Sequence, residues 1–230
     1  LVAATTAAPL PALNLVAAYW VECVPGSPDP VVERTKGSGA LQGMKAQALE
    51  MALIAVAYLV TYLLTFYLWM PVQNLFLEPG LALASLIFLP HGVRVLSVFL
   101  VGARSIPPLL IVGIIVPFLM GYPASYLAGV GGALCAYLAF KIFLLAGYRV
   151  EPRAQLISQW RSLMLIAFVA AVINGLAIPA ILLAESFTEA EVTPLILMFV
   201  IGDTLGAFVF FALLAAGGRT YQWLHGRLSG

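Results

Sequence analysis

Six long apolar runs, each closed off by polar or turn-forming residues, constrain this chain more than anything else in it. They fall at 50–70, 81–102, 106–120, 124–147, 162–184 and 194–217. A helix needs about 20 apolar residues to cross a bilayer, and five of the six runs reach that length. The third is short: about 15 residues rise only about 22 Å. Composition agrees, with 63% of the 230 residues apolar and 9% charged. A soluble domain carries about 25% charged residues, and one core of this size could not hide so much apolar surface. The expected fold is therefore all-α, a polytopic bundle of about six transmembrane helices with the lipid bilayer as its first partner.

The basic residues orient the bundle. If the segment before the first run is cytoplasmic, the cytoplasmic connections hold Arg34, Lys36, Lys45, Arg104, Arg149, Arg153, Arg161, Arg219 and Arg227. The outer loops at 71–80, 121–123 and 185–193 hold no basic residue and carry Glu78, Glu185, Glu189 and Glu191. This is the asymmetry of the positive-inside rule, and it predicts both termini in the cytoplasm. Lys141 lies near the cytoplasmic end of its helix and can snorkel outward. Arg94 has no such exit.

Three regions follow. Residues 1–43 read as a non-membrane extension, rich in Ala, Pro, Val and Gly, and its apolar patch from Pro9 to Trp20 is too short to span. Either the functional protein starts at or near Met44, or the extension is a genuine flexible one. Residues 44–217 form the six-helix membrane domain, and 218–230 a short cytoplasmic tail.

Inside the runs, polar residues are costly, since a charge near the bilayer centre costs roughly 2.5–3.5 kcal/mol even on lenient insertion scales. His91, Arg94 and Asp203, with Asn174 beside them, are therefore the candidates for a ligand-binding or ion-pair centre. The alternative is a structural ion pair tying the second and sixth helices together. Pro90 and Gly92 flank His91 and predict a broken helix at mid-span, an irregularity of the kind that lines cavities. Pro117 and Pro179 read as simple kinks. Ala124, Ala128 and Gly132 recur every four positions, as do Ser125 and Gly129, which fits close helix packing in lipid. The run Gly129-Val130-Gly131-Gly132 has no strand before it and does not read as a nucleotide loop.

Other chemistry is not legible. Two cysteines, Cys23 and Cys135, and two distant histidines, His91 and His225, give no metal-ligand spacing. No metal or cofactor is expected, and no nucleophile or acid–base dyad suggests an enzyme. A net charge of +1 suggests no nucleic acid partner.

The stretch Leu89-Pro90-His91-Gly92, followed by Gly102-Ala103-Arg104-Ser105-Ile106-Pro107, resembles the signature of the bacterial membrane-associated sensor domain of the first type. Gly202-Asp203-Thr204-Leu205-Gly206 is similar to a late element of that family. The resemblance covers most of residues 50–217 and implies functional weight at Gly102, Arg104, Pro107, Gly202 and Gly206. It also implies a sensory domain of the bacterial inner membrane that detects a signal or small ligand and passes it to a cytoplasmic partner. Three departures stand out. The family usually has about eight spans, Leu89 stands where a tryptophan is common, and only about a dozen residues follow the last run. Either signalling needs a partner protein, or this chain is the sensor portion alone. Six spans with both ends inside are also similar to the substrate-binding subunit of energy-coupling-factor vitamin transporters. An accessory subunit of a membrane complex is the third reading.

Overall fold

A computed structural model describes residues 38–76, 84–121, 125–148, 156–184 and 188–228. All regular structure among them is helical. The first helix, α1 (Ser38–Leu63), starts ahead of Met44 and passes through a π-helical turn (Leu64–Trp69) into the short α2 (Met70–Gln73). Then come α3 (Pro90–Val101), a 3-10 turn (Gly102–Ser105) and α4 (Ile106–Leu119). The chain ends with α5 (Ser125–Leu145), α6 (Leu156–Ala184) and α7 (Glu189–Leu228). Residues 1–37, with most of the expected extension, lie outside the described residues, as do Ala124, Glu78 and Glu185.

Five helical stretches are long and apolar enough to cross a membrane: Gly43–Gln73, Pro90–Leu119, Tyr126–Leu145, Gln159–Ile181 and Val192–Gly217. Their side chains are arranged for lipid. Leu53, Val56, Val60, Leu64 and Tyr67 form an exposed apolar stripe along α1 and its π turn, and Leu165, Phe168 and Leu176 do the same on α6. Thr61, Thr65, Gln73, His91, Arg94, Asn174 and Asp203 are buried. A water-soluble protein distributes these types the other way round.

The second run differs from expectation. It is not one helix over 81–102 with a break at its middle: residues 84–89 are non-helical, and α3 begins at Pro90. Proline is at home there, because its missing N–H would be unpaired in a first turn anyway. Gly92 sits inside an unbroken helix, and its missing side chain serves packing. A Cβ built there would lie 2.5 Å from Phe210 Cδ1 on α7.

The stretch Pro90–Leu119 also reverses at its middle. Arg94 Nε donates to Tyr58 Oη at 2.6 Å, and a Cβ at Gly113 would lie 3.6 Å from the same oxygen. A continuous helix would hold residues 94 and 113 about 28 Å apart at about 1.5 Å per residue. The turn is made at Gly102, whose φ of 60° suits a residue without a side chain. Pro107 follows in the first turn of α4. Gly147, at φ 80°, closes α5 in the same spirit: Tyr148 N–H bonds the Phe143 carbonyl at 2.9 Å.

Three glycine crossings set how closely the helices approach. Gly129 on α5 faces Gly113 on α4, where a Cβ would lie 2.8 Å from the Gly113 carbonyl oxygen. Gly175 on α6 faces Val200 on α7. On α7, Gly202 and Gly206 lie directly against the backbone of Ser85 and Phe88, leaving no room for a methyl group. The apolar window of α7 begins at Val192, so Gly202 is about 15 Å along it. The non-helical residues 84–89 therefore lie at the middle of the membrane domain, sealed against α7.

Gly202→Ala and Gly206→Ala should each destabilise the folded protein by about 1–3 kcal/mol, because the new methyl meets backbone that cannot retreat. Gly217→Ala, inside the same helix and with nothing within 4 Å of the new Cβ, should not destabilise it and should add up to about 1 kcal/mol of helix propensity. Unfolding in detergent, followed by tryptophan fluorescence, checks the contrast.

Candidate functional site

The central helix is α3. It is buried along most of its length and carries two buried basic residues, His91 and Arg94. Three residues apart, they lie one turn from each other and turn to different neighbours.

His91 faces α6 and α7. Its Nε2 lies 3.0 Å from the Ala167 carbonyl, and its Nδ1 lies 3.3 Å from Asp203 Oδ2. The second approach has an ion-pair distance but not the alignment of a hydrogen bond. Asp203 Oδ2 also accepts from Asn174 Nδ2 at 2.6 Å. His91, Asn174 and Asp203 are all buried, so three helices meet at one polar node. Gly175, next to Asn174, lets α6 come close enough to α7 for the amide to reach the carboxylate.

A carbonyl only accepts, so Nε2 must carry hydrogen. A neutral ring would then turn the Nδ1 lone pair toward an ionised carboxylate 3.3 Å away. That contact would be a hydrogen bond only with one further proton between the two groups, on the ring or on the acid. Either arrangement leaves the His91–Asp203 pair with no net charge.

Arg94 turns the other way, toward α1 and α5. The expectation that it meets Asp203 is not what the geometry gives: among the described residues no Asp or Glu forms an ion pair with it. Its Nε donates to Tyr58 Oη, and its guanidinium carbon stands 5.2 Å from the Phe88 ring centroid and 5.5 Å from that of Tyr58. Such cation–π contacts contribute about 0.5–2 kcal/mol each. Gly132 on α5 lies so close that a Cβ would run into Arg94 Nη2. Nη1 is buried and has no hydrogen-bond partner, and neither has Asn174 Oδ1.

The two sequence elements that stand far apart in the chain meet here. Gly202 and Gly206 pack on the non-helical residues just ahead of Leu89-Pro90-His91-Gly92, and Asp203 contacts His91. Gly102, Arg104 and Pro107 are elsewhere, at the α3–α4 turn, where Arg104 acts electrostatically on Glu50 of α1. Among the described residues no cluster of three His, Cys, Asp or Glu side chains is placed to hold a metal ion.

Two contributors escaped the sequence reading. Tyr58 lies within the first apolar run, where an aromatic residue gives no hint of its polar role. Gln73, grouped there with a loop, is buried and clamps the non-helical segment: its Nε2 donates to the Ala84 carbonyl at 2.9 Å, and its Oε1 accepts from Leu86 N–H at 2.6 Å. Its position one helix turn past Trp69 was the available signal.

Comparison of the chain with protein-family models, with characterised proteins and with solved structures finds no match.

Asp203→Ala should leave His91 Nδ1 and the Asn174 amide unpaired in a dry interior. Asp203→Asn can still offer an N–H to Nδ1. The alanine variant is expected to be less stable than the asparagine variant by about 1–3 kcal/mol, read as the difference in thermal unfolding in the same detergent.

Proposed function

We propose that this chain is an integral membrane sensory domain of a bacterial inner membrane, with the His91–Asn174–Asp203 node and Arg94 as its signal-reading centre. It acts on a protein partner in the cytoplasm and catalyses nothing itself. One observation carries the reading. Asp203 belongs to a single unbroken helix of 40 residues, which at about 1.5 Å per residue is about 60 Å long, twice the hydrocarbon thickness of a bilayer. A displacement at the buried node reaches the end of that helix without a joint to absorb it. The spatial meeting of the Pro90-His91-Gly92 and Gly202–Gly206 elements supports the likeness to membrane-associated sensor domains, in which those elements occur together.

The proposed topology has six crossings with both termini inside. The reversal at Gly102 supports counting Pro90–Leu119 as two passes, and the positive-inside rule then assigns Arg104 to the cytoplasmic side.

A second reading draws support from the half-helix α3, which starts at mid-depth beside a buried polar cluster. Interrupted helices of that kind hold substrates in transporters. This favours a small transport component, similar to the substrate-binding subunit of energy-coupling-factor systems, as the alternative.

Two experiments test these proposals. With Cys23 replaced by serine, Asn74→Cys and Thr188→Cys should both react with an impermeant thiol reagent from outside the cell. Reaction from opposite sides would mean five crossings. A diguanylate cyclase joined in helical register after Leu228 should change its activity when Asp203→Asn is introduced. Unchanged output from a folded, inserted chimera would overturn the sensory reading, and uptake of a labelled solute by the chain with an ATPase partner would favour transport.

A further inference from the structure

Among the described residues Arg94 is the permanently charged group of the bundle centre, and no described carboxylate forms an ion pair with it. Guanidinium does not deprotonate in proteins. Every element packed on α3 can be checked for a compensating charge. From α1 come only the phenols Tyr58 and Tyr62, from α5 the thiol Cys135, and from α6 the uncharged Asn174. Helix α4 has no Asp, Glu, Lys, Arg or His in its sequence. From α7 comes Asp203, which is committed to His91 and Asn174. While that pair shares its proton it is neutral, and the centre carries one positive charge in a medium that penalises it heavily. At the same place Arg94 Nη1 presents buried N–H groups that nothing accepts. Tyr58 fixes the opposite edge of the guanidinium, and Gly132 withholds the side chain that would otherwise crowd it.

We propose that Arg94 Nη1 is the recognition group for a small monovalent anion, a halide or a short carboxylate, and that the anion binds together with one proton held by the His91–Asp203 pair. The inference rests on the reading of this centre as the site that senses, and it names the ligand class. One accepting atom suffices at Nη1, because Nε is already occupied by Tyr58. The coupling follows from charge. If the pair gives its proton to bulk water it becomes an anion itself and balances Arg94 through the intervening turn of α3. An incoming anion then meets no net positive charge. Holding the proton restores that charge, so anion and proton enter the centre as a neutral unit, and each raises the affinity for the other.

The test uses the full chain in detergent, with formate and chloride as probes and gluconate, a bulky polyhydroxylated anion, as the ionic-strength control. Thermal stability should rise saturably with formate, with chloride or with both, and not with gluconate. Response to formate alone assigns a carboxylate site, and response to both a site that also accepts a halide. Arg94→Gln should weaken the apparent affinity by about tenfold or more, the loss of a charged hydrogen bond. In the wild type the dissociation constant should rise by about tenfold per pH unit where the pair loses its proton, as required for one proton per anion. Asp203→Asn should flatten that profile. No saturable response in the wild type, an equal response to gluconate, or an undiminished response in Arg94→Gln would each overturn the site, and a flat wild-type pH profile would overturn the coupling. Anion binding without any change in a fused output module would retain the site and remove the sensory role. A responsive module without anion binding would do the reverse.

Discussion

Six residues outside any helix, 84–89, lie where the bilayer offers no water to their backbone, and much of the bundle is shaped by that fact. An unpaired backbone group in hydrocarbon costs several kcal/mol, so non-helical chain survives at such depth only inside protein. Partners arrive from both sides. Gln73 takes the Ala84 carbonyl and the Leu86 N–H, the Gly202 carbonyl accepts the Phe88 N–H at 2.9 Å, and Ser85 Oγ serves Ile87. Gly202 and Gly206 are glycines because the segment presses backbone to backbone on α7. The same contact brings Asp203 onto the inward face and His91 to the first turn of α3. The polar node is thus a by-product of sealing the segment.

The segment also sets the character of the two halves of the centre. On the α6–α7 side, Asn174 donates to Asp203, and His91 lies at ion-pair distance from the same carboxylate oxygen. On the α1–α5 side, Arg94 rests among aromatic faces, one phenol and a bare glycine, with attraction but little true neutralisation. Two polar environments of unlike charge balance are therefore held one helical turn apart on the most enclosed helix of the bundle. Rigid packing keeps them from mixing.

How much of this could be read in advance follows from what each signal reports. Apolar length and the distribution of Arg and Lys report burial in lipid, and they pointed to a helical membrane bundle and to the residues whose burial is costly. Asn174 and Asp203 stood out for the same reason. Run length does not report backbone state: 81–89 is almost wholly apolar, whether or not it is helical, so the non-helical residues ahead of Pro90 were invisible. Nor could the pattern tell which way Arg94 points. The choice of Tyr58 depends on the crossing of α1 with α3, which no local pattern encodes. Gly132 was read as a packing residue and packs against a charge. Gln73 sat at the border of two runs, and only the folded chain shows that it faces inward.

The π-helical turn at Leu64–Trp69 has a consequence for all of this. Its wider hydrogen bonding, seen in the Met70 N–H to Thr65 carbonyl contact, accommodates one more residue than an α turn of the same rise. One residue is worth about 100° of rotation in a helix of 3.6 residues per turn. Everything beyond Trp69 is thus phased differently from the helix below it, and Gln73 looks inward because of that offset. If the turn tightened to α geometry, α2 would swing by about a quarter of a revolution, and Gln73 would face lipid in place of Ala84 and Leu86. The wide turn is a phase adjuster: it lets α1 keep its apolar stripe outward along its whole length while delivering a single amide to the one stretch of backbone that needs it.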